Sequence, residues 1–415
     1  MSASNFTSLF LLVLIISLTL RLWLSLRQAR HVAAHRSAVP AAFASSIALA
    51  DHQKAADYTL AKGKLGRIDL AISTLWLLVL TLGGGLHYLY EVAALWIAPT
   101  SLWHGVLLFG LLSGAGFVID LPLTLYRTFV LEERFGFNRT TPRLFLIDLV
   151  KQSLLGILIG APLLWAVLWL MQGMGEHWWI WVWAFWLGLN LVTMVIYPIF
   201  IAPLFNKFTP LNDEAMKTRV EALLTRCGFR SQGLFVMDGS KRSAHGNAYF
   251  TGFGAGKRIV FFDTLLNSLQ PAEVEAVLAH ELGHFKHKHL WQRISVMGLA
   301  VLVLLWVLAW LMQQQAFYSG LGVEAQSNAL ALILFSLTLP LLLFPLTPLT
   351  SMWSRKHEFQ ADRYAREQAS AQDLVNALVK LYKENASTLT PDPLHSLFYD
   401  SHPPASIRIG QLLKP

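Results

Sequence analysis

His280-Glu281-Leu282-Gly283-His284 is the run whose residue types and spacing could do chemistry together. Two histidines four apart on a helix lie on one face, one turn from each other. Imidazoles placed like this can bind one Zn²⁺ at about 2.0–2.1 Å. Glu281 points too far round the helix to ligate easily, but its carboxylate can reach a water on such a metal. The flanking residues read as that helix. Pro271 suits a first turn, and Glu273 and Glu275 suit a helix N-terminus. Val274, Val277, Leu278 and Leu282 recur at helical spacing. His287 and His289, in Phe285-Lys-His-Lys-His, read as a solvated basic end.

Catalytic zinc takes three protein ligands and keeps one position open, so a third ligand must come from elsewhere. Ser354-Arg-Lys-His-Glu-Phe-Gln-Ala-Asp-Arg-Tyr-Ala reads as a helix carrying Glu358 and Asp362 four apart on one face. Glu358 could ligate while Asp362 hydrogen-bonds a ligating histidine. Residue pattern alone leaves Glu367 and His357 open as rivals to Glu358.

These segments must be carried by something apolar. Of 415 residues, 54% are hydrophobic and 14% charged, against about 25% charged in a soluble domain. That balance excludes disorder, a coiled coil and a soluble multidomain enzyme. The single cysteine, Cys227, excludes an intramolecular disulfide framework and a Cys-rich zinc module. Seven runs are long and apolar enough to span a bilayer, near 5–26, 71–97, 103–126, 152–173, 178–202, 291–315 and 328–352. The second is interrupted by Gly83-Gly84-Gly85, and Pro340, Pro345 and Pro348 predict a kink or early end in the seventh.

Lys and Arg number seven in 27–67, five in 127–151, twelve in 203–293 and eight from 354 onward, whereas 98–102, 174–177 and 316–327 hold none. Basic residues therefore alternate from side to side, which places the N-terminus outside and the C-terminus in the cytosol. The first span lacks a basic region before it and reads as an uncleaved anchor. The chain divides into a five-span region, 1–205; a protease segment, 206–290; spans six and seven, 291–353; and a C-terminal segment, 354–415. The net charge of +8 is mostly this topology signal, with attraction to anionic membrane lipid, and not a nucleic-acid surface. His87, Glu91 and Asp120 lie within spans and should face an interior or an interface. No pattern specifies an oligomeric state.

The chain resembles the integral-membrane zinc metalloproteases of the CAAX prenyl endopeptidase type. The likeness spans nearly the whole chain, on Phe129–Thr141, Pro203–Leu211, Ser240–Phe250, His280–His284, Ser354–Asp362, and Tyr399–Pro404 with Arg408. It implies a mostly α fold, with seven transmembrane helices around a large chamber and a zinc metalloprotease domain at its cytosolic end. It implies one Zn²⁺ per chain, on His280, His284 and Glu358, with Glu281 as the base that deprotonates water. It implies His402 as a donor to the oxyanion and Arg408 as a group that orients a carboxylate. Asn247 has an amide that can donate to substrate. From Asn247 through Ala248 to Phe250 the chain is β-compatible, so an extended peptide could add there as a strand.

The family reaction removes the three residues after a prenylated C-terminal cysteine. The short non-cytosolic connections point instead to a bacterial inner membrane, where the work would be membrane-protein quality control or peptide clearing. A seven-span receptor or transporter with a structural zinc site is the reading from another class. Glu281 argues against it, because a structural site has no use for a base.

Overall fold

The computed structural model describes residues 2–229, 233–251 and 258–414. Six of its helices are long and apolar enough to cross a membrane: Ala3–Ala34, Leu102–Glu132, Pro142–Gly173, Gly175–Leu204, His289–Leu311 and Asn328–Gln368. A broken pair, Leu49–Leu80 and Gly85–Ala94, bent by 58°, makes a seventh. The break falls on the expected glycine run. Gly84 takes φ +72°, and a Cβ on Gly85 would stand 2.7 Å from the Val79 carbonyl oxygen, so only glycine fits this corner.

Two spans run further than their apolar stretches suggest. The second begins at Leu49, well before its hydrophobic part. The seventh continues beyond its apolar part to Gln368 through a single 3₁₀ turn, Phe344–Leu346. The expected early end does not occur. Pro345 and Pro348 each sit at the start of a helical segment, where a missing N–H costs nothing.

Several spans are sparsely packed, and only 6% of the Gly175–Leu204 window is buried. The spans form the walls of a chamber rather than a solid bundle, with a mixed α/β domain at one end.

That domain is built on a four-stranded sheet: β1 Phe208–Pro210, β2 Leu234–Met237, β3 Ala248–Thr251 and β4 Arg258–Phe262. The order is β1-β2-β4-β3, with β2 and β4 parallel and the outer pairs antiparallel. Among the described residues β3 is thus an edge strand. Beneath the sheet, Val220, Leu223, Ile259, Phe261, Val274, Leu278 and Leu282 share one core with Ala365 and Leu374. The domain is tied to the membrane helices by buried or half-buried charge pairs. Arg242 clasps Asp148 through Nε and a second nitrogen at 2.7 and 2.9 Å. Arg27 in the first span meets the buried Asp392 at 2.9 Å, and Asp392 also caps the helix Pro393–Tyr399.

The motif helix, Pro271–Lys286, starts with a reciprocal cap between Gln270 and Glu273, which satisfies amides that would otherwise lack partners. It lies against Thr347–Gln368, the C-terminal continuation of span seven. A Cβ on Gly283 would fall 2.8 Å from Ala361 Cα, so the glycine sets how closely the two helices approach. Gly283→Ala should cost about 1–3 kcal/mol through overpacking and loosen retained zinc. An unchanged unfolding midpoint with unchanged zinc content would show that the helices can part without consequence.

Candidate metal centre

Two helices bring the metal-ligand candidates together. His280 Nε2 and His284 Nε2 are 3.2 Å apart, and Glu358 places Oε2 3.5 Å from the first and Oε1 3.5 Å from the second. The three groups form one cluster able to hold an ion. Bonds of 2.0–2.1 Å at tetrahedral angles put neighbouring donor atoms about 3.3 Å apart, so the triangle has the size zinc requires. Two imidazoles and a carboxylate are also its usual donors. Glu358 is 1% exposed, and its Oε2 has no aligned hydrogen-bond donor. His402 Nδ1 lies 2.7 Å from that oxygen, close but poorly directed. A cation among these groups satisfies the buried oxygen.

Each histidine is oriented from behind. His280 Nδ1 donates to Asp362 Oδ1 at 2.8 Å. Asp362 is gripped by Arg408, whose Nε donates to Oδ2 at 2.8 Å, and both residues are buried. With Nδ1 protonated, Nε2 keeps the lone pair a metal needs. Burial and Arg408 press His280 towards neutrality, but Asp362 and Glu358 outweigh them and lift it to about 9. Burial, with the His280 charge, pushes His284 down to about 3. A metal cation at the two Nε2 atoms competes with protons for the same lone pairs.

His289 departs from the sequence reading. It is 1% exposed, its Nδ1 is 2.9 Å from His284 Nδ1, and its Nε2 is 2.9 Å from Gln360 Oε1. Gln360 Oε1 can only accept, so His289 carries its proton on Nε2 and accepts at Nδ1 from His284. His284 Nε2 is left free to face the cluster. The His289 ring stacks on His357, centroids 3.9 Å apart, and His357 Nε2 donates to Gln292 Oε1 at 3.0 Å. The reversal depends on Lys288, which takes φ +56° between the two helices. A left-handed non-glycine residue is not foreseeable from composition, which is why a buried role for His289 was missed. His287 is exposed, as expected.

Glu281 lines a cavity of about 330 Å³ together with Asn247, Ala248, His280, Glu358, His402 and Arg408. Burial pushes Glu281 upward from the ordinary carboxylate range. Asn247 Oδ1 accepts from Ala248 N–H at 2.8 Å, which leaves the Asn247 amide N–H groups as donors. Val277, Leu374, Leu378 and Leu381 form an apolar side of the same cavity. Neither Glu367 nor His357 joins the triangle.

A metal triangle at one end of a seven-span chamber, beside a half-buried glutamate and an edge strand, defines a membrane-embedded metallopeptidase. Comparisons with known proteins agree. The family described as CAAX prenyl protease N-terminal, five membrane helices, matches residues 28–207, and peptidase family M48 matches 210–415. The CAAX prenyl protease 1 homolog of Arabidopsis thaliana is 41% identical over 70% of this chain and 69% of its own length. That of Caenorhabditis elegans is 31% identical over 97% of both chains. The crystal structure of S. mikatae Ste24p superposes with a TM-score of 0.92 at 32% identity, covering 99% of both chains. The chain belongs to the M48 CAAX prenyl protease family and is an integral-membrane zinc metallopeptidase.

Replacing His289 by Ala removes the acceptor behind His284 and should weaken zinc binding about 10–100-fold, read by chelator competition on the purified protein. Unaltered zinc affinity would deny His289 this positioning role.

Proposed function

We propose that this protein cuts protein C-termini bearing a prenylated cysteine, releasing the residues that follow it. The observation that carries the reading is the placement of the metal triangle and Glu281 beside the open edge of β3, under an apolar wall that suits an aliphatic residue after the cut. Relatives named CAAX prenyl protease 1 support the substrate class.

His280, His284 and Glu358 would hold the metal. A zinc ion there supplies Lewis acidity to the attacking water and the scissile carbonyl. Glu281 takes the proton of that water and delivers it to the departing amine. Its upward-shifted pKa makes it a competent acid once protonated. Asn247 donates its free amide N–H to the substrate, and His402 is placed to donate to the carbonyl oxygen as negative charge develops there. Asp362 and Arg408 keep His280 in its binding tautomer. Ala248 offers backbone to an extended peptide added at the edge.

The alternation of basic residues supports a cytosolic active site, with the N-terminus outside. Glu91 and Asp120 are exposed on the faces of their helices. We place them on the chamber side, since lipid contact would be costly for a carboxylate. The short non-cytosolic connections favour a bacterial inner membrane, and basic cytosolic segments favour contact with anionic lipid.

Glu281→Gln should lower peptidase turnover by about 10²–10⁴-fold while zinc content by elemental analysis stays at the wild-type level. Full activity in that variant would remove Glu281 as the base.

A further inference from the structure

A second, larger cavity adjoins the site, about 580 Å³ in volume, between the first two spans and the C-terminal segment. Tyr382, Ser387 and His402 line both cavities, so the two share a wall. Lys62 projects into the larger one, and among its described lining residues is its single Lys or Arg. In the smaller cavity Arg408 is already engaged with Asp362.

Lys62 is exposed there, and its ammonium rests on the Tyr58 ring, 4.0 Å from the centroid. The acid whose charge it feels, Glu132, is taken up elsewhere. Tyr58 donates its hydroxyl to Glu132 at 2.6 Å, and His245 stands 3.7 Å from the other carboxylate oxygen. No described carboxylate reaches ion-pair distance of Lys62. Asp400 lines the same wall, and its charge acts on Arg355, which also donates to the Asp400 backbone carbonyl at 3.3 Å.

Strand polarity says what would reach this ammonium. β3 runs from Ala248 to Thr251 along the open edge. A peptide paired antiparallel to it runs the other way, so its C-terminal side passes Asn247 and Gly246. Gly246 N–H donates to Asn385 Oδ1 at 3.3 Å, and His245 Nδ1 lies 3.1 Å from the same oxygen. Beyond Asn385 lie Ser387 and the larger cavity. Three extended residues reach about 10 Å, which carries a chain terminus away from the metal triangle and towards that space.

We propose that Lys62 binds the free α-carboxylate at the substrate's C-terminus, making the enzyme selective for peptides that end a few residues beyond the cut. This rests on the proposed cleavage near a C-terminus. A charge-assisted contact of this kind fixes where along the peptide the scissile bond falls.

The test uses the zinc-loaded full-length enzyme and prenylated peptides ending three residues after the cysteine, as the free acid or the C-terminal amide. The wild type should show a KM about tenfold or more lower for the acid, the scale of one charge-assisted hydrogen bond. Lys62→Gln should raise KM for the acid to that of the amide and leave the amide reaction unchanged. Lys62→Arg should keep the preference. Equal cleavage of acid and amide by the wild type overturns the proposal. So does a Lys62→Gln variant that keeps the acid preference, or that loses the amide reaction as well. If the wild type cuts only unprenylated peptides, the prenyl reading fails by itself, and the same acid–amide comparison on an unprenylated pair decides the role of Lys62.

Discussion

The structure depends on the close contact of two helices, one carrying both histidines and the other carrying the acid. Gly283 sits between His280 and His284 in sequence, and Ala361 lies between Glu358 and Asp362. Their contact brings backbones so near that a methyl group has no room. Only at that separation does one carboxylate lie 3.5 Å from two imidazole nitrogens. The metal site is therefore a consequence of helix packing rather than of a flexible loop, and side chains on rigid elements hold geometry within the tolerance catalysis needs.

The same contact joins chemistry to the membrane. The acid-bearing helix is the continuation of span seven, and span six begins at His289, five residues past His284. The centre thus sits on the ends of two spans. The spans need not pack tightly for this, since the sheet, the motif helix and the C-terminal helices share their own core. Charge pairs such as Arg242 with Asp148 and Arg27 with Asp392 fasten that core to the chamber wall. They add to the covalent continuity of spans six and seven and to the apolar cluster of Ala55, Tyr58, Leu131, Phe137 and Ala386.

Much of this was legible in the residues themselves. Seven spans emerge from apolar length and from basic residues on alternate sides, because both follow from transfer energies that act residue by residue. The pairing of His280 with His284 follows from helical period. Selecting Glu358 over Glu367 and His357 required family resemblance, because a spacing of four is satisfied by many acids on a charged helix. The structure puts Asp362 behind His280 and Glu358 in the triangle, while leaving Glu367 and His357 out. What stayed hidden depends on three-dimensional reversal. His289 looked like part of a solvated basic tail, and a left-handed Lys288 turns it inward beneath His284. Lys62 looked like one of seven basic residues marking topology, and its place in a cavity beside His402 depends on tertiary docking of the second span. Pro345 and Pro348 misled for a related reason: both fall at the start of a new turn, whereas Pro340, alone of that span's prolines, lies within a helix.

X-ray absorption at the zinc K-edge on the purified full-length protein tests the central claim most directly. The account predicts one zinc per chain with two imidazole nitrogens and oxygen ligands at about 2.0–2.1 Å, and loss of an oxygen ligand in Glu358→Ala. Zinc bound without imidazole ligands, or an absorption spectrum that Glu358→Ala leaves unchanged, would contradict it.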